Sequence, residues 1–300
     1  MVDAPEQFDP CSVNYQKIIK VEPEPPSAAL LELVRACEAD STKCDNLCRR
    51  ILDDEGLTSH QLKDCMVANT ATEHTITVGY CFAGAEGRRP AGLASARKRC
   101  ATPAGGHLAR AAFYEAASVH AFVQLARELR RHRAPRALVT AMRRSAAEEI
   151  VHARLMTSLA RARGSTPPPL VVTTPRRRSI EAIAIENARE GLVGETWSAV
   201  IALWQSVHAP DPQLRATYAR IADDELRHAE LALEIDRWTR SRLAPAARVR
   251  VDAARHRAIT ALSRQARRAP HRALVSELGL PDGAASSKLF DDARAQIWRG

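Results

Sequence analysis

EEIVHARL at 148–155 and DELRHAEL at 224–231 align position for position, and their reading decides the fold. In each, a glutamate precedes a histidine by three residues: Glu149 and His152, Glu225 and His228. A helix turns about 100° per residue, so side chains three apart leave the same face one turn apart. A carboxylate and an imidazole so placed can hold one metal ion from a single helix. One such pair is common by chance and is usually a solvated surface pair. Two in register at an offset of 76 residues, 149 to 225, are much harder to obtain by accident.

Around these motifs the apolar period is that of a helix. The first helix is expected over 107–132, with Leu108, Ala112, Glu115, Val119 and Phe122 on one stripe. A second runs from Pro135 to about Arg163, where Gly164 stops it. A third covers Ser179 to about His208. The fourth opens at Asp211-Pro212, an N-cap followed by proline at the first helical position, and reaches about Arg240. The short breaks after the first and third helices require antiparallel hairpins. Between the hairpins, GSTPPPLVVTTPRRR spans about 15 residues and, extended, reaches about 45 Å. A helix of about 27 residues is about 40 Å long, so this segment can run the length of a bundle. One long crossover joining two hairpins is a ferritin-like connection.

Two divalent ions call for about four carboxylates and an imidazole each, and iron and manganese accept both donor types. Glu149, His152, Glu225 and His228 supply half the acids and both imidazoles. Glu115 is the only acid of the first helix before Glu128, and it is set among Ala111, Ala112, Ala116, Ala117 and Ser118, which leave room for metal. The third helix offers Glu186, Glu190 and Glu195. Glu190 and Glu195 diverge by about 140° on a regular helix. Glu195, on a stripe of Ala188, Gly191, Ser198, Ala199 and Ala202, is preferred, with Glu190 as the alternative ligand. Glu148 reads as a solvated acid and Asp224 as a partner that orients an imidazole.

The chain has 300 residues, 45 % of them hydrophobic and only 4 % aromatic, and its richness in Ala, Leu and Arg favours an all-α fold. The net charge of +9 is carried almost wholly by arginine. Such a bias makes basicity weak support for a nucleic-acid partner. No stretch approaches the ~20 apolar residues of a membrane span. The acidic start, Met1 to Asp9, lacks a signal peptide's features, which points to the cytoplasm. All seven cysteines, at 11, 37, 44, 48, 65, 81 and 100, fall in the first third. That segregation suggests a small disulfide-stapled module, which would also suit an exported protein.

The expected organisation is a flexible proline-rich arm (1–26), a small Cys-rich module with linker (27–104), a four-helix bundle (105–240) and a basic helical extension (241–300). Within the module, Thr72 to Phe82 is the one convincing strand signal.

With these residues in hand, the segment 105–240 resembles the ferritin-like superfamily of di-iron carboxylate proteins. EEIVH, ENAREGLVGETW and HAPDPQLRATYARIADDELRH look most like uncharacterised bacterial ferritin-like proteins and, more distantly, tRNA-modifying di-iron hydroxylases, in which a DP turn precedes the last ExxH helix. The resemblance puts the third helix's ligand on Glu195. It implies two iron (or manganese) ions, an oxygen-dependent oxidoreductase activity, a small-molecule substrate and a reductant. Iron handling or peroxide detoxification, and a non-catalytic interaction bundle, are the alternatives.

Overall fold

The computed structural model describes residues 15–21, 28–40, 43–54, 60–69, 74–82, 87–90, 92–94, 102–173 and 177–298. The chain is mostly helical and divides into two compact units, Asp9–Gly84 and, apart from the first eight residues, Ala85–Gly300.

The first unit holds two short helices, α1 (Ala28–Ala39) and α2 (Cys44–Asp54), and strands β1 (Tyr15–Val21), β2 (His60–Asn69) and β3 (His74–Phe82). The strands form one antiparallel sheet in the order β1-β3-β2. Val34 and Cys37 on α1, with Leu47, Cys48 and Ile51 on α2, are buried at helical spacing. Disulfides Cys37–Cys44 and Cys48–Cys65 tie α1 to α2 and α2 to β2, as the clustering of cysteines suggested. Two features depart from expectation. Only β3 was anticipated, so this small unit carries a sheet in an otherwise mostly helical chain, and β1 lies within the arm read as flexible. Both extra strands are held by main-chain pairing with β3, β2 as its hairpin neighbour and β1 across a long stretch of chain that local patterning does not report. Cys11, Cys100 and most of the expected arm lie outside the described residues.

Among its described residues the regular structure of the second unit is helical, apart from a β-bridge between Leu93 and Val172. Its long helices are α3 (Pro103–Arg131), α4 (Arg136–Arg161) and α7 (Pro212–Arg240). Between α4 and α7 a further helical rod comprises α5 (Ile180–Glu186), a π-helical stretch Asn187–Glu195, and α6 (Thr196–His208). Local chemistry sets the starts. Thr102 accepts from Gly105 N–H at 3.0 Å, with Pro103 next in line. Asp211 accepts from Gln213 N–H at 2.8 Å ahead of Pro212. α3 packs along α4, α6 along α7, and α4 meets α7. The links 132–135 and 209–211 are too short for anything but a reversal of direction.

Two apolar layers form the interior. One gathers Leu108, Ala112, Met156, Ala202, Leu214 and Ile221. The other gathers Phe122, Leu125, Met142, Ile183, Leu231 and Ile235. Along each helix these layers flank a middle stretch that holds the acids and histidines of interest.

Beyond Arg240 lie α8 (Pro245–Ala266), α9 (Arg272–Leu278) and α10 (Gly283–Gln296). Leu262, Ala266, Phe290 and Trp298 pack on Val193 and Trp197, and Val251 packs on Ala184 and Ala188. The Leu192 carbonyl, within the π-helical stretch, accepts from the Trp298 indole at 2.9 Å and the Thr196 hydroxyl at 3.1 Å. Among the described residues, no helix is long and apolar enough to cross a membrane.

Candidate metal centre

Glu115 of α3, Glu149 and His152 of α4, Glu195 at the end of the π-helical stretch, and Glu225 and His228 of α7 are all buried. None exceeds 4 % exposure. They form two overlapping groups, Glu115–Glu149–His152–Glu225 and Glu149–Glu195–Glu225–His228. Within each group the donor atoms lie within 4.8 Å of one another. Glu149 and Glu225 belong to both. Glu190 enters neither; its Oε2 instead accepts from the Arg89 backbone N–H at 3.3 Å.

Both imidazoles turn Nδ1 inward. His228 Nδ1 is 3.2 Å from Glu149 Oε1 and 3.6 Å from Glu225 Oε1. His152 Nδ1 is 3.5 Å from Glu225 Oε1 and 3.7 Å from Glu149 Oε2. Outward, each ring is fixed by an acid from the opposite helix. His152 Nε2–H donates to Asp224 Oδ2 at 2.9 Å, and His228 Nε2–H to Glu148 Oε2 at 3.0 Å. Such outer bonds hold a ligating ring in one tautomer and orientation. Asp224 was expected in this role. Glu148 was not: it is no solvated acid but the counterpart of Asp224 in the duplicated motif. Arg227 ties the two acids together, reaching Glu148 Oε1 at 3.0 Å and contacting Asp224.

The interior of the cluster has no such satisfaction. Glu115 Oε2, both oxygens of Glu149, Glu195 and Glu225, and Nδ1 of both histidines are buried without a hydrogen-bond partner. Buried polar atoms in native proteins are paired as a rule, because leaving one unmade costs about 1–3 kcal/mol. Orphaned donors converging from four helical segments suit a bound cation, which needs this mix of hard oxygens and imidazole nitrogens. The buried carboxylate–histidine groups are thus positioned to bind a metal ion.

Proton affinities tell the same story. Burial, then the charge of Glu149, pushes Glu115 well above the usual carboxylate range. Burial and Glu225 do the same to Glu195. Burial alone would lower the histidines, but Glu115 and Glu149 carry His152 up to about 10. Glu148 and Glu149 carry His228 well up. For Glu149 the two imidazoles outweigh burial and hold its carboxyl well below the ordinary value. Glu115 and Glu195, crowded among acids in an apolar interior, favour their protonated forms until positive charge replaces those protons.

Two features escaped sequence reasoning altogether. The expected third helix widens into π-helical turns over Asn187–Glu195, which changes the direction of Glu195 relative to the residues before it. π turns occur disproportionately at functional sites. The other is Arg88, fully buried and drawn from the stretch read as linker. Its Nε lies 3.5 Å from Glu195 Oε1 and its Nη1 4.0 Å from Glu186 Oε1. Nη2 donates to Asn187 Oδ1 at 3.1 Å, and the guanidinium lies 5.4 Å from the Phe122 ring centre. Gly191 opens this seat, since a Cβ there would fall 2.5 Å from Arg88 Nη2. Gly87, at φ +65°, itself passes close to Ser118 and Glu115: a Cβ there would fall 3.1 Å from Ser118 Cβ and 3.3 Å from Glu115 Oε2. In a chain so rich in arginine, nothing marked this one.

His120 is exposed, and His132 bonds the Arg178 carbonyl at 3.0 Å; neither belongs to the two groups of the centre. Beside the turns that carry Glu115, Glu149 and His152, an open groove of about 690 Å³ runs between α3, α4 and the crossover. Ala112, Ala116, Val119, Ile150, Ala153 and Leu170 line much of it, and no acid does.

No protein-family model matches this chain, and neither a curated protein nor a solved structure is matched by it.

Proposed function

We propose that this protein is a ferritin-like four-helix di-iron (or di-manganese) carboxylate protein acting as an oxygen-dependent oxidoreductase on a small organic substrate. The observation that carries the reading is the pair of groups sharing Glu149 and Glu225, with their inward donors orphaned. One ion would be held by Glu115 and His152, the other by Glu195 and His228, with Glu149 and Glu225 common to both. When bound, a pair of redox-active ions supplies the electron transfer to dioxygen that side chains alone cannot.

The chain's own part is to hold the donors apart from water and in register. The apolar layers above and below the centre exclude solvent. Asp224 and Glu148 keep Nδ1 of each histidine free for a cation by engaging Nε2. The groove beside α3 and α4, lined by aliphatic side chains together with His120, Arg154 and Arg161 and by no acid, supports an organic substrate over a stored iron core, for which an acid-lined entry is expected.

Elemental analysis of purified protein, with an optical spectrum followed from anaerobic to aerobic conditions, tests the proposal. About two iron or manganese ions per chain and an oxygen-dependent spectral change are expected. A folded protein that takes up no metal overturns it in favour of a non-catalytic interaction bundle.

A further inference from the structure

The ligand set is close to two-fold symmetric, and its surroundings are not. Each half has one private glutamate, one histidine, two shared glutamates and an acid from the opposite helix behind the imidazole. Yet Glu115 sits on a regular helix and, among the described residues, has no arginine or lysine partner. Glu195 ends a π-helical stretch and faces the guanidinium of Arg88 at 3.5 Å.

We infer that Arg88 makes the two cation positions unequal, weakening the Glu195/His228 position so that the centre fills in two steps, Glu115/His152 first. The inference rests on the dinuclear reading above. Three observations carry it. Arg88 is wholly buried, so solvent does not screen it, and arginine stays charged at any working pH. It is held in place: the Ser118 hydroxyl accepts its backbone N–H at 3.0 Å, Asn187 its Nη2, and Gly191 leaves it room. Glu186 on its far side is in turn engaged by Arg178, which also bonds Glu128, so the charge cannot swing away from Glu195.

At this separation the guanidinium draws on the same carboxylate a cation would use and repels that cation across a poorly screened interior. Nε has no hydrogen-bond partner, nor does Glu195 Oε1, so Arg88 acts on Glu195 by its charge more than by orienting it. Groups one shell out from a metal change its affinity by about 10- to 100-fold. Arg88 is itself a cation, so its removal tightens binding.

The test is titration of metal-free full-length protein with manganese(II), free ion being counted by its paramagnetic resonance. Wild type should take up two ions in steps separated by at least about tenfold. Arg88→Gln should tighten the second step toward the first and leave the first in place, while Arg88→Lys, keeping the charge, retains the separation. Glu195→Gln should abolish the weak step and Glu115→Gln the tight one, an assignment that does not require the Arg88 variants to fold. Equal steps in wild type, an unchanged separation in a folded Arg88→Gln, or loss of the tight step in Glu195→Gln would each overturn the role of Arg88 while sparing the dinuclear reading. Uptake of one ion or none by wild type overturns both.

Discussion

His228 on α7 donates through Nε2 to Glu148 on α4 at 3.0 Å, while His152 on α4 donates to Asp224 on α7 at 2.9 Å. The acid just before each ExxH motif thus serves the histidine of the other motif. The exchange locks α4 to α7 and leaves both Nδ1 atoms facing inward.

Glu148→Gln and Asp224→Asn should therefore weaken metal affinity by about 10- to 100-fold without changing the number of ions bound, since each loosens one imidazole. Equilibrium titration with manganese(II) reads this directly. Wild-type affinity in both variants would remove the cross-helix acids from any role in the centre.

Glu149→Ala and Glu225→Ala should abolish metal uptake, because each removes a carboxylate common to both groups. Glu115→Ala and Glu195→Ala each strip one group only and should leave about one ion per chain, as two ligand groups imply. Elemental analysis of the four purified variants distinguishes shared from private donors.

The metal-free protein should lose stability as pH rises from about 6.5 to about 10. Against the downward pull of burial, Glu115 and Glu149 raise His152 from 6.5 to about 10. A raised folded-state pKa stabilises fully below the unfolded value and ceases to do so as pH passes the folded one. Cations compete with the same proton, so their affinity should climb over that window. Thermal melts at several pH values, with and without manganese(II), should diverge toward alkaline pH; parallel curves would contradict the coupling.

Gly191→Ala should destabilise the protein by about 1–3 kcal/mol, the usual result of overpacking an interior. Its Cβ would meet Arg88 Nη2, Asn187 Oδ1 and Ala232 Cβ, all within 2.8 Å. Denaturant unfolding measures the loss. A neutral substitution would mean that the seat of Arg88 is looser than its contacts indicate.

Much of this was written locally. The four long helical stretches, their caps at Asp211-Pro212 and near Pro135, and the pairing of Glu149 with His152 and of Glu225 with His228 all follow from periodicity, because helix geometry links residues three and four apart without reference to the rest of the chain. The small residues around Glu115 and Glu195 marked the two remaining acids for the same reason. Folding decided what depends on distant partners. Glu148 was indistinguishable from a surface acid until α7 brought His228 to it, though its register with Asp224 was a signal that could have been followed. The π-helical turns over Asn187–Glu195 follow no simple period, and β1 owes its pairing to β3, far along the chain. Arg88 became part of the centre only when the chain before α3 placed it against Glu195, since a charge acts through space on whatever three-dimensional packing sets beside it.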